Sequence, residues 1–410
     1  MSANAVLLPG LVTQTEDSGV QAKPLTLGVL GGGQLGRMFV HAAQRMGFFT
    51  AVLDPDTLSP AGRVSHEHIA AAYTDVQGLQ QLSQSCAAIT TEFENVPAQS
   101  LAQLAKSCTV SPPAHAVAIA QDRAQEKAHF GRCGVPCAPY AVIETKEQLT
   151  QVASHLLPGI LKTTRMGYDG KGQKRVATHA ELAAAWADLQ QAPCVLEKML
   201  PLQLECSVIV ARGTDGCCVH LPVQRNLHRD GILAVTEVYD GVLPDGVAAR
   251  AIAAARSIAE GLQYVGVLCV EFFVLDAAAA QAQGLGDLVV NEMAPRPHNS
   301  GHYSMDACDI SQFELQVRTL AQLPLVQPRQ HSPAIMLNLL GDIWPDDGVP
   351  PWHLVLALPG THLHLYGKAK AAKGRKMGHL TVTGGSIHAV RTTAGQAARI
   401  LGLPDDFASH

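Results

Sequence analysis

The sequence predicts an α/β (α+β) fold: a Rossmann-like unit at the N-terminus, a mixed-sheet central region and a small β-rich C-terminal domain. Three observations predict it. Leu25 to Leu30 reads as a strand that ends in Gly31-Gly32-Gly33-Gln34-Leu35-Gly36, Arg37 to Met46 has helical spacing, and Thr50 to Leu53 is a second strand, which together make a βαβ unit. Strand-length apolar runs dominate from Pro136 until an Ala-rich helix opens at Ala248. Residues 332–410 alternate short strands with Pro and Gly turns. The expected bounds are a loose tail over 1–23, a Rossmann-like domain over 24–115, a central domain over 116–330 with a flap lobe at about 140–202, and a C-terminal domain over 331–410.

The elements follow in chain order. A strand at Ala87 to Thr91 and the turn Ser111-Pro112-Pro113 close the first domain, and a helix over Asp122 to Arg132 is stopped by Gly134 and Pro136. Gly159 to Thr163 and Gln173 to Val176 are strands around a glycine-rich loop, and Cys194 to Glu197 and Cys206 to Ala211 are two more. The Ala run 277–280 reads as loop filler between two late strands, and Leu363 to Tyr366 and His379 to Val382 are strands of the last domain.

Composition limits the function. Apolar residues make up 47% of 410 and charged residues 16%, so the chain can bury a core; a net charge of −5 gives no field for phosphate backbones or anionic membranes. Neither nucleic acid nor a membrane is expected as a partner. Glu16 and Asp17 precede Lys23, the wrong charge order for a leader, and no apolar run reaches the roughly 18 residues of a bilayer span. Ten scattered Cys read as reduced thiols of a cytoplasmic protein, and His298/His302 or His66/His68 lack the further ligands of a zinc site.

Gly31-x-Gly33-x-x-Gly36 with Asp54 satisfies the dinucleotide fingerprint, although the same turn serves α/β proteins that bind another phosphorylated ligand or none. The loop Gly167-Tyr168-Asp169-Gly170-Lys171-Gly172-Gln173 lies between strands and so is not a P-loop; it reads as a flap whose amides, with Lys162 and Lys171, could cover a polyphosphate. Glu271 interrupts an apolar run and Glu292 ends another. Carboxylates in buried strands need a cation, and two that converge could hold Mg²⁺ against nucleotide phosphates.

Asp122-Arg123, Lys162, the 167–173 loop, Glu197-Lys198, Glu205-Cys206-Ser207, Asn226-Leu227-His228, Glu271 and the run Asn291-Glu292 to His302 together resemble the ATP-grasp superfamily. Within it the pattern is most similar to the N5-carboxyaminoimidazole ribonucleotide synthetase family, through His298-Asn-Ser-Gly-His302, Gly374-Arg-Lys-Met-Gly-His379 and the opening Gly31 to Met38 loop. The resemblance spans about residues 24–400, and residues 1–23 have no counterpart in it.

The resemblance implies ATP between two lobes, with Arg123, Lys162 and Gly167, Tyr168, Asp169, Gly170, Lys171, Gly172 and Gln173 on its phosphates. It implies Glu197, Lys198, Met199 and Leu200 along the adenine, Glu205 on the ribose, His228 near the nucleotide, and Mg²⁺ on Glu271 and Glu292 with Asn291 beside them. Bicarbonate is expected to become carboxyphosphate and to carboxylate 5-aminoimidazole ribonucleotide. Arg296, His298, Asn299 and Ser300 would shape the reacting pocket, with Tyr168 and Asp169 over the acceptor, Asp169 at its amine, and Lys368 and Arg375 on its 5′-phosphate. A homodimer that passes its product to a separate mutase in purine (IMP) biosynthesis is also expected. Gln224-Arg225 departs from the neutral or acidic pair expected there. Three alternatives stay open: a formate-dependent glycinamide ribonucleotide transformylase, in which Glu92 would meet the acceptor, an NAD-dependent oxidoreductase resting on the first glycine loop and Asp54, and a catalytically silent nucleotide-binding partner.

Overall fold

A computed structural model describes residues 6–10, 12–13, 23–165, 172–405 and 407. The first unit is a five-stranded parallel sheet of β1 (Thr26–Leu30), β2 (Phe49–Leu53), β3 (Glu67–Ile69), β4 (Ala88–Thr91) and β5 (Thr109–Val110), in the order β3-β2-β1-β4-β5. Its central strands are buried almost from end to end, as strands covered on both faces are. Helix α1 (Gln34–Arg45) buries Leu35, Met38, Phe39, Val40 and Ala43 at helical spacing against it. Leu7, expected in a loose tail, donates its N–H to Ala321 O at 2.9 Å and packs on this core.

Four antiparallel strands form the flap lobe: β6 (Tyr140–Ile143), β7 (Gly159–Thr163), β8 (Gln173–Val176) and β9 (Cys194–Lys198), in the order β8-β7-β9-β6. Helix α2 (Arg123–Arg132) leads into it. Asp122 caps α2 by accepting the N–H groups of Ala124 and Gln125 at 3.1 and 3.3 Å, which explains why the helix starts where the Asp-Arg pair stands.

The largest sheet is antiparallel. It comprises β10 (Leu202–Arg212), β11 (Cys218–His220), β12 (Gln224–Arg229), β13 (Ile232–Val238), β14 (Gly266–Leu275), β15 (Leu288–Ala294), β16 (Ala334–Leu340), β17 (Thr361–Leu365) and β18 (Lys376–Thr383). Their order is β15-β14-β10-β12-β13-β16-β18-β17, with β11 beside β10. The strands of the C-terminal region therefore extend the central sheet through the β13–β16 pairing, and the last helix, Ile387–Ile400, packs Val390, Ala394, Ala397 and Ala398 against them. The Ala-rich helix Val247–Gly261 covers β10 and β14. The Ala run expected as loop filler is helical over Ala277–Ala282: alanine has the highest helix propensity, and Asp276 caps the turn by accepting Ala279 N–H at 2.9 Å.

The glycine loop corrects the dinucleotide reading. Glu92, just past β4, accepts the N–H groups of Gly33 and Gly36 at 2.9 and 3.1 Å, and Asp54 accepts that of Gly32 at 2.7 Å. The anion position at the start of α1 is thus filled by the protein's own carboxylates, which a pyrophosphate would have to displace. Gly31 is required for a second reason: its φ is +107° and a Cβ would lie 2.6 Å from Glu92 Cγ.

Candidate active site

The three units surround a cleft of about 1030 Å³. Its floor is the β14–β15 ladder, where Glu271 and Glu292 are direct cross-strand partners, so the two carboxylates share one face as the sequence reading required. A register shift just after Glu271 leaves these side chains turned into the cleft. Burial and the neighbouring Glu292 raise the pKa of Glu271. For Glu292 burial also raises it, but Arg123 and Lys162 outweigh that and hold it below the usual range.

The oxygen donors suit a hard divalent cation such as Mg²⁺: two carboxylates, with the Oδ1 of Asn291 buried beside them and lacking any hydrogen-bond partner. Cys269 lies close to Glu271 and His298, but burial pushes its thiol pKa far up, so it offers no thiolate.

At one end of the cleft cations collect. Arg123, the first residue of α2, pairs with Glu292 at 3.0 Å, and its N–H holds Thr164 O at 2.9 Å, tying the helix start to the strand that leads toward the flap loop. Lys162 on β7 pairs with Glu197 at 3.0 Å, and Gly172 and Gln173 line the wall. Gly167, Tyr168, Asp169, Gly170 and Lys171 lie outside the described residues. Glu197, expected along an adenine edge, is instead buried between two lysines, Lys162 and Lys127. Lys198 and Met199 use their N–H groups on Pro139 O and Pro158 O, and neither they nor Leu200 line this cleft, although the Met199 side chain is exposed.

Glu205 on β10 and His228 on β12 face each other across the sheet as an ion pair. Burial lowers the pKa of His228, but the bond to Glu205 and the charges of Glu271 and Glu292 more than reverse this.

The reacting corner is built by the segment after β15. Arg296 is buried in an ion pair with Glu94, 202 residues earlier. His298 Nε2 lies 3.1 Å from Glu271 Oε1, while Nδ1 accepts the Ser300 N–H and contacts Ser300 Oγ at 3.0 Å. A donor into Nδ1 leaves the imidazole proton on Nε2, where it donates to Glu271. Burial and the Arg296 charge keep His298 neutral. Asn299 is buried with both amide atoms unpartnered, as expected of a side chain awaiting a ligand. Ser300 does not line the cleft: its hydroxyl is buried between His298 and Ser207, the latter at 2.8 Å, so it braces the imidazole.

At the other end, the loop before β18 brings Lys368, Lys373 and Arg375 to the cleft, and Lys376 joins them as the first residue of that strand. Lys368 donates to Lys376 O at 2.7 Å and Arg375 to Lys370 O at 2.8 Å, which shapes the loop. Glu92 also borders the cleft, with its carboxylate turned to the glycine loop. Sequence reasoning missed Glu94, Lys127, Lys373 and Lys376. The one local hint was the Arg123-x-x-x-Lys127 spacing, which puts two cations on one face of α2.

Comparison with known proteins gives three family matches: an ATP-grasp domain over residues 128–313, a ribonucleotide synthetase preATP-grasp domain over 25–121, and a phosphoribosylaminoimidazole carboxylase C-terminal domain over 334–393. The chain is 42% identical over 363 residues to an N5-carboxyaminoimidazole ribonucleotide synthase of Brucella melitensis, covering 87% of this chain and 95% of that one. It is 38% identical to one of Bacillus subtilis, covering 87% and 90%. Among solved structures it is similar to an ADP complex of an N5-carboxyaminoimidazole ribonucleotide synthetase, with TM-score 0.86, 36% identity and coverage of 98% and 99%. It is also similar to the Aspergillus clavatus synthase in complex with ADP and 5-aminoimidazole ribonucleotide, with TM-score 0.82, 30% identity and coverage of 93% and 99%.

Proposed function

This chain belongs to the N5-carboxyaminoimidazole ribonucleotide synthase family, and from that premise we propose how its cleft performs the family's reaction. The enzyme is an ATP-dependent ligase of purine biosynthesis: it carboxylates 5-aminoimidazole ribonucleotide on its exocyclic amine, releasing ADP and phosphate. The observation that carries the assignment of roles is the Glu271–Glu292 cross-strand pair between two separate groups of cations, one for each phosphorylated substrate.

Arg123 and Lys162 take the ATP phosphates, with Gly172 and Gln173 on the wall beside them, and residues 167–171 are assigned to the same phosphates. Glu271 and Glu292, with Asn291, are the residues that would hold Mg²⁺; bound there, the ion supplies charge neutralisation for the transferring phosphoryl group. Glu205 and His228 flank the nucleotide. A bicarbonate oxygen attacks the γ-phosphorus, the bond to the ADP oxygen breaks, and carboxyphosphate forms. Arg296, oriented by Glu94, and the free amide of Asn299 stabilise its anionic oxygens, and neutral His298 steadies Glu271 by hydrogen bond. In the second half the amine nitrogen of the acceptor forms the C–N bond as phosphate leaves, and Asp169 orients the amine or takes its proton. Lys368 and Arg375 hold the acceptor's 5′-phosphate, so the nucleophile is presented rather than encountered. Carboxyphosphate is fragile in water, so the reaction calls for a site that excludes water. The same reading has the enzyme working in the cytoplasm as a homodimer, its product passing to a separate mutase. No helix among the described residues is long and apolar enough to cross a membrane.

The donor is tested directly. With MgATP and 5-aminoimidazole ribonucleotide in carbon-dioxide-depleted buffer, phosphate release is slow and recovers on adding bicarbonate but not formate. Carboxyphosphate has one more oxygen to satisfy than formyl phosphate, and a buried donor left unpaired costs roughly 1–3 kcal/mol. Rapid turnover on formate with glycinamide ribonucleotide would overturn the assignment.

A further inference from the structure

The Lys127–Glu197–Lys162 bridge contains one lysine more than nucleotide binding requires. Glu197 Oε1 lies 3.1 Å from Lys127 Nζ and Oε2 lies 3.0 Å from Lys162 Nζ, so one carboxylate serves two ammonium groups. The arrangement follows from register. Lys162 on β7 faces Val195 on β9, and Glu197, two residues on, is its diagonal neighbour on the same face. Lys127 reaches the other oxygen from α2, one helical turn after Arg123.

The two lysines are not equivalent. Lys162 lines the cleft, whereas Lys127 is 1% exposed, does not line it, and stands beyond Glu197. Lys127 therefore has no path to a ligand. Its other neighbours do little to cancel its charge: the Tyr140 ring lies 5.8 Å away, and the adjacent Glu126 is buried and accepts Met293 N–H at 2.7 Å, with its pKa pushed up chiefly by that burial, which disfavours its negative charge.

We infer that Lys127 is a positioning residue for ATP: by satisfying half of Glu197, it leaves the bridge with a net positive charge that Lys162 presents to the polyphosphate. Lys162 and Glu197 alone would form a neutral pair, held in place but with little pull on an anion. With Lys127 added the three groups sum to +1, and the only one of them open to the cleft is Lys162. Glu197 then fixes the position of Lys162 without neutralising it. This rests on the reading that Lys162 meets the nucleotide's phosphates.

The test compares Michaelis constants of the full chain with MgATP and 5-aminoimidazole ribonucleotide. Lys127→Met, neutral and of similar length, raises the ATP KM by about tenfold and leaves that of the acceptor within twofold, while Lys127→Arg stays near wild type. The decisive variant is Lys127→Met with Glu197→Gln. It removes both ion pairs but returns the site to +1, so it brings the ATP KM most of the way back toward wild type, a recovery that a role in packing alone does not predict. If Lys127→Met does not fold, the double variant against wild type still decides: an ATP KM within about threefold supports the inference, and one raised tenfold overturns it. So does an unchanged ATP KM in a folded Lys127→Met. Lys162→Met with a normal ATP KM would instead refute the placement of Lys162 on the phosphates.

Discussion

Glu92 separates a structural role from a substrate role, and the two make opposite forecasts. Its carboxylate accepts two backbone N–H groups at the start of α1, at 2.9 and 3.1 Å, in a place where the residue is only 8% exposed. Glu92→Gln keeps the shape and one acceptor but turns an NH₂ toward the second N–H. One buried donor is left unmatched, at a cost of about 1–3 kcal/mol. Glu92→Ala leaves both unmatched, about 2–6 kcal/mol, less whatever water recovers. Burial raises the pKa of Glu92 while Gly33, Gly36 and Arg296 pull it down, so its charge is itself costly to hold and the lower half of each range is expected. Urea unfolding followed by far-UV circular dichroism measures the loss, and KM for 5-aminoimidazole ribonucleotide is measured on the same preparations. The expected outcome is a stability loss that grows from Gln to Ala, with the acceptor KM of Glu92→Gln within about threefold of wild type. Undiminished stability with a sharply raised acceptor KM would refute this reasoning and make Glu92 a substrate contact.

Glu292→Gln should reduce turnover at least about a hundredfold at saturating Mg²⁺ while thermal unfolding shows a folded chain; near-normal rates would remove Glu292 from the metal pair. Arg375→Ala should raise the KM of the acceptor and hardly touch that of ATP, and the reverse pattern would move Arg375 to the nucleotide end. The acid limb of stability should report Glu197. Burial raises its pKa but Lys127 and Lys162 outweigh this and hold it at about 2, below its unfolded value, so its contribution is full above about pH 4.5 and is lost as pH falls toward 2. At most about 3 kcal/mol is involved, and in Glu197→Gln, acid titration of the unfolding midpoint should be flatter across that window; an unchanged slope would show that other carboxylates dominate it.

Local pattern alone was enough for several of the elements. Apolar alternation, Asp-Arg at a helix start and glycine turns act within a few residues, so β7 and β8 stand where the sequence put them and α2 begins one residue after the expected start. The isolated acids Glu271 and Glu292 were legible because a charge in an apolar strand has few physical explanations. The Ala run at 277–280 was misread because its cap, Asp276, was not weighed with it. What each polar group faces was decided by the tertiary structure. The same G-x-G-x-x-G turn could receive a dinucleotide or a carboxylate, and only the placement of β4 beside β1 brings Glu92 into it. Glu94 meets Arg296, and Lys127 meets Glu197, across 202 and 70 residues of chain. No periodicity carries such pairings: a buried charge demands a partner of opposite sign, but the sequence specifies only the demand, and chain folding selects which residue answers it.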